Sequence, residues 1–118
     1  MKESAVQLPK VSATIQSIRS ALMLSQEALA KILGLSVRTV VRWEKEGFEP
    51  PPLERERLDL IHEVIEIAKD IMEPEDIVSW FSKPKESLSG RRPLDLLSFL
   101  KGIQLLRETL EKTRWGIF

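Results

Sequence analysis

The sequence predicts an all-α fold, and three observations carry that expectation. Apolar residues recur at three- and four-residue spacing through nearly the whole chain. Glycines and prolines fall between these periodic segments. No stretch shows the apolar–polar alternation of a half-buried strand.

The first segment, about residues 12–23, places Ile15, Ile18, Ala21 and Leu22 on one face. A second opens at Ser25, whose hydroxyl suits an N-cap, and turns Ala28, Leu29, Ile32 and Leu33 inward until Gly34 ends it. A third runs from Ser36 to about Lys45 and stops at Gly47, followed by the stiff linker EPPPL at 49–53. A long fourth helix covers 53–72. Its apolar face, from Leu58 to Met72, is broader than a lone amphipathic helix needs, which suits either a core or an interface. Pro74 fits the first turn of a fifth helix, with Glu75 and Asp76 near its positive end. After the polar connector KPKESLSGRRP, the remaining segment reads as two helical pieces meeting near Gly102.

Composition narrows the function classes. With 118 residues, 42% of them hydrophobic, the chain has material for one ordinary domain or two small ones sharing a core. The absence of cysteine excludes disulfides, zinc ribbons and thiol chemistry, and suits a reducing compartment. No apolar run approaches the roughly 20 residues of a membrane span, and MKESAVQLPK lacks the apolar segment of a signal peptide. A cytoplasmic protein without membrane association is expected. Eighteen basic residues balance eighteen acidic ones. Residues 1–52 hold seven Lys/Arg against five Asp/Glu, a net of +2, and residues 53–118 hold eleven against thirteen, a net of −2. That weak asymmetry allows a DNA-facing first part and a different role for the second.

An enzyme fits least well. The chain has one histidine, no Gly-rich phosphate loop and no metal-ligand spacing, and its carboxylates follow helix faces in pairs such as Glu108–Lys112. No catalytic residue, cofactor or metal is expected. His62, between Ile61 and Glu63, reads as structural.

The stretch GLSVRTVVRWEKEG, residues 34–47, carries the first functional signal. On a helix, Val40 and Trp43 point to one side, while Val37, Arg38, Val41 and Arg42 lie towards the other. A helix entering the DNA major groove needs this division between scaffold and base edges. Arginine can donate two hydrogen bonds to guanine, and valine can touch a thymine methyl. Ser36 and Thr39 are short hydroxyl residues able to reach phosphate. An ordinary surface helix with valine inside and arginine outside shows the same pattern.

The wider run SQEALAKILGLSVRTVVRWEKEGFEPP resembles the helix-turn-helix of Xre/Cro-type repressors. Ser25, Gln26, Leu29, Ala30, Leu33, Gly34, Ser36, Val40, Trp43, Glu44 and Pro50 fit its pattern, and Gly47 fits with one extra residue. The resemblance implies that Ser36, Val37, Arg38, Val41 and Arg42 face bases, with Gln26 and Thr39 on phosphate. It assigns residues 1–52 to a DNA-binding domain.

Residues 53–118 carry a second resemblance. Trp80, Phe81, Pro84, Leu88, Gly90, Pro93, Asp95, Leu96, Leu97, Gly102, Leu106, Leu110 and Gly116 fall in register with the C-terminal domain of Xre/MbcA/ParS-type antitoxins. Trp115 stands where tyrosine is more usual, and SFLK replaces a more polar stretch. Most of these residues read as structure: Trp80 and Phe81 as core, Gly90 and Pro93 as loop and helix start. The Arg91–Arg92 pair suits either a solvated loop or a phosphate contact. The tail WGIF must fold back or meet a partner, since burying each large apolar side chain gains about 1.5–3 kcal/mol. The resemblance implies the latter. In Res–Xre pairs the antitoxin's C-terminal region blocks the active site of a RES-domain toxin that consumes NAD, which places Trp115, Gly116, Ile117 and Phe118 in that contact.

The expected function is therefore a type II antitoxin that neutralises a cognate toxin and represses its own operon as a homodimer on double-stranded operator DNA. Two other readings stand beside it. One is a stand-alone, phage-derived repressor of the Xre family whose C-terminal domain dimerises. The other is an interaction module whose helix-turn-helix packs only against protein.

Overall fold

The computed structural model describes residues 10–116. Among these residues seven helices follow in order: α1 (Val11–Leu22), α2 (Gln26–Leu33), α3 (Val37–Lys45), α4 (Pro52–Ile71), α5 (Pro74–Ser82), α6 (Pro93–Leu96) and α7 (Leu100–Arg114). A single 3-10 turn, Glu86–Leu88, lies between α5 and α6, and there is no strand among the described residues. The all-α expectation holds.

The element boundaries follow local chemistry. Ser25 Oγ accepts the Ala28 N–H at 3.0 Å, capping α2. Gly34 ends that helix at φ +72°, a left-handed conformation that costs a residue with a Cβ more than glycine. The N–H groups of Gly34 and Leu35 then return to the Lys31 and Ala30 carbonyls. Ser36 caps α3 by accepting the Thr39 N–H at 3.2 Å. Pro52 and Pro74 begin α4 and α5, where a missing N–H leaves no helical bond unmade.

The central element is α4. Leu58, Ile61, Val64, Ile65 and Ala68 are fully buried, packed against α1 on one side and α7 on the other. The broad apolar face is core, not an exposed interface. α7 runs parallel to α4, since Arg57, Glu63 and Asp70 pair in that order with Ser98, Arg107 and Arg114. One continuous apolar cluster joins Ile15, Leu29 and Val40 to Phe81, Leu97 and Leu106. The halves on either side of residue 52 thus share a core. Each of those fully buried side chains contributes about 1.5–3 kcal/mol relative to exposure.

Two details depart from expectation. The break in the last segment lies at residues 97–99, and Gly102 sits inside α7. There it is buried, and a Cβ would run into the Leu96 carbonyl oxygen and come 3.0 Å from the Phe99 ring. Gly102 is a contact residue that lets α7 lie close on α6. Glu108 and Lys112 do not pair, among the described residues. The ion pairs of α7 instead cross to α4, from Arg107 to Glu63 at 3.0 Å and from Arg114 to Asp70 at 2.9 Å.

Candidate nucleic-acid interface and C-terminal contact region

The short α3 divides cleanly. Val40 is fully buried and Trp43 nearly so, against α1 and α2. Ser36, Val37, Arg38 and Arg42 are exposed, with Thr39 and Val41 half-buried at the margin. Arg38 makes no hydrogen bond or ion pair among the described residues. Arg42 lies over the Phe48 ring at 4.6 Å from its centroid, which orients the guanidinium without using its donors. Ser36 Oγ, besides its capping bond, lies 2.9 Å from Thr39 Oγ1. Both hydroxyls at the start of α3 are therefore held in place.

Behind α3 lies a polar network that sequence reasoning did not assign. Glu44 is buried with 5% of its surface exposed. Arg19 Nη1 donates to both its carboxylate oxygens, at 2.9 and 2.8 Å, and Arg19 Nε donates to the Leu24 carbonyl at 3.0 Å. Gln26 Nε2 donates to Glu44 Oε1 at 3.0 Å. A charge this deeply buried persists because it is paired and hydrogen-bonded. The network ties the end of α1 and the start of α2 to the back of α3. Gln26, expected on phosphate, thus has one amide hydrogen on Glu44; it remains half-exposed at the first residue of α2. The signal was present in the sequence, because Glu44 follows Val40 by four residues and so falls on the inward face.

At the C-terminal end of α7, Trp115 has 69% of its surface exposed. Arg114 lies over its ring at 5.3 Å. That guanidinium donates to Asp70 at 2.9 Å and stands 2.6 Å from Glu111. Trp115 and Gly116 are therefore presented beside the end of α4, while Ile117 and Phe118 lie outside the described residues.

The remaining candidates are structural. Phe81 is fully buried and Trp80 half-buried beside it, edge to face at 5.0 Å, with Lys85 over the outer ring. Arg91 Nε donates to the Leu88 carbonyl at 3.0 Å, closing its own loop. Arg92 pairs with Asp95 at 2.6 Å, and this hydrogen bond holds the carboxyl below the ordinary aspartate range. Both side chains of that pair are over 40% exposed, so it pins the start of α6 more than it stabilises the fold. His62 is partly exposed, 3.6 Å from Glu66. No group of three metal-ligating side chains occurs among the described residues.

Together these features define a two-part helical protein, a helix-turn-helix seated on a C-terminal helical region. Residues 15–55 match the helix-turn-helix family, and residues 68–116 match the family of the antitoxin Xre/MbcA/ParS C-terminal toxin-binding domain. The chain thus combines a helix-turn-helix region with a region of the antitoxin Xre/MbcA/ParS toxin-binding family. No curated protein matches it in sequence. A similar solved structure is the crystal structure of the M. tuberculosis MbcT–MbcA toxin–antitoxin complex, one chain of which superposes with a TM-score of 0.74. The two are 22% identical over 94% of this chain and 99% of that one, a likeness that concerns the fold.

Proposed function

We propose that this protein neutralises a cognate toxin by binding it through the C-terminal region and represses its own operon through α3. The observation that carries the DNA half is the outward face of α3. It holds two arginines with unspent donors, beside a valine exposed by 40%. That is the chemistry of guanine and thymine recognition in a major groove. Ser36, Thr39 and Gln26, with the first backbone N–H groups of α2 and α3, suit the flanking phosphates. One such module offers few base contacts, so operator recognition calls for a homodimer placing two α3 helices about 34 Å apart. Because the face of α4 is used up in the core, the dimer contact falls on another surface.

The toxin half rests on the match of residues 68–116 and on Trp115 standing out from the end of α7. The tail 115–118 is the proposed contact, and a RES-domain enzyme that consumes NAD is the proposed class of toxin. The protein acts in the cytoplasm as a binding protein, not as an enzyme. No helix among the described residues is long and apolar enough to cross a membrane.

The test is to express the chain from its native genomic fragment, with both adjacent reading frames intact, and identify by mass what co-purifies. A stoichiometric partner that arrests growth when expressed alone is the expected result. A chain that purifies without any partner, yet binds the DNA upstream of its gene, would favour a stand-alone repressor.

A further inference from the structure

The Arg57 side chain joins two places that are far apart in sequence. Its Nη2 donates to the Leu33 carbonyl at 2.7 Å, and its Nη1 donates to the Ser98 carbonyl at 2.8 Å. Leu33 is the last residue of α2, so its carbonyl has no helical partner and carries part of the negative end of that helix. The guanidinium of another element caps it. Ser98 lies in the break between α6 and α7, one residue before Phe99, the N-cap of α7. α2 and α6 face one another across a cleft lined by Ala28, Lys31, Ile32, Leu94, Asp95 and Ser98. Among the described residues no carboxylate pairs with Arg57, so its charge is directed wholly at the two carbonyls.

We infer that Arg57 is a positioning residue for DNA reading, one that holds the α2–α3 turn in register with the α6–α7 junction. The turn after Leu33 is three residues long and leads directly into α3. Displacement of the Leu33 carbonyl is therefore carried into the direction of Arg38 and Arg42. The same guanidinium holds the C-terminal region, so a partner that moves the Ser98 carbonyl alters operator affinity, and operator binding alters partner affinity by the same factor. This rests on the proposal that α3 reads DNA. The tie itself is testable without DNA.

Hydrogen exchange on the intact, DNA-free protein compares wild type with Arg57→Gln. The expected result is exchange about tenfold faster in both segments 34–40 and 98–103, with the amides of α1 and the middle of α4 unchanged. Acceleration in one segment only, or in neither, would overturn the coupling. Should Arg57→Gln fail to fold, Arg57→Met keeps the aliphatic stem packed and carries the same comparison. The second measurement titrates each protein with the duplex lying immediately upstream of its own gene, at several salt concentrations. The variant is expected to bind about tenfold more weakly, with an unchanged slope of log K against log salt, because Arg57 neutralises no phosphate. Unchanged affinity, or a slope flattened by about one contact, overturns the positioning role. If the wild type itself prefers this duplex no more than a shuffled one, DNA reading fails and the positioning role with it, while exchange still decides the tie.

Discussion

Arg38 and Arg42 differ from the other arginines of the chain in what they leave undone. Arg19, Arg57, Arg92, Arg107 and Arg114 each engage a carboxylate or carbonyl within the protein. Arg38 engages nothing among the described residues, and Arg42 only the face of Phe48. Replacing either by alanine is expected to weaken operator binding by about 1–3 kcal/mol, the scale of one bidentate base contact, with little change in thermal stability. Fluorescence anisotropy on operator and shuffled duplexes checks this, and equal losses on both would point to phosphate contact instead of base reading. At this scale the sequence was legible where a side chain's neighbours lie within a helical turn or two. Val40 and Trp43 are inward as their spacing required, and Ser25 is the N-cap its place before α2 suggested. Arg57 was not legible, because its two acceptors are backbone carbonyls 24 and 41 residues away and leave no mark in side-chain pattern.

Among the elements, helices declared themselves by periodicity, and the error came from reading one glycine as punctuation. Gly102 interrupts an apolar run, which suggests a boundary. In the folded chain it instead marks where α7 meets the backbone of α6, and the true break at residues 97–99 contains neither glycine nor proline. That break is set by packing, with Leu96 and Leu97 both fully buried, and packing is not visible in local composition. Gly102→Ala is therefore expected to destabilise the protein by about 1–3 kcal/mol, although alanine is the better helix former. Thermal unfolding checks the sign, since a rise in midpoint would mean that propensity outweighs the contact. The long α4 had two open readings, interface or core. Tertiary packing decided for core, which a single amphipathic pattern could not.

At the scale of the whole molecule, both halves lean on α4, with the exposed arginine face of α3 at one site and an exposed tryptophan at another. The two regions were legible because each carries a dense set of positions in register with a known family, matched at residues 15–55 and 68–116. A shared core was expected from length alone, but not its make-up, which depends on α1 packing against α3, α4 and α5 alike. The central claim is that this molecule restrains a toxin through its C-terminal end. The most direct measurement expresses each adjacent reading frame alone, then with the full chain, then with the chain lacking residues 115–118, and follows growth. One frame is expected to arrest growth, the full chain to restore it, and the shortened chain, still folded by circular dichroism, to fail. If neither frame arrests growth, or the full chain gives no relief, the antitoxin account is contradicted. Relief by the shortened chain would contradict the placement of the contact at the tail.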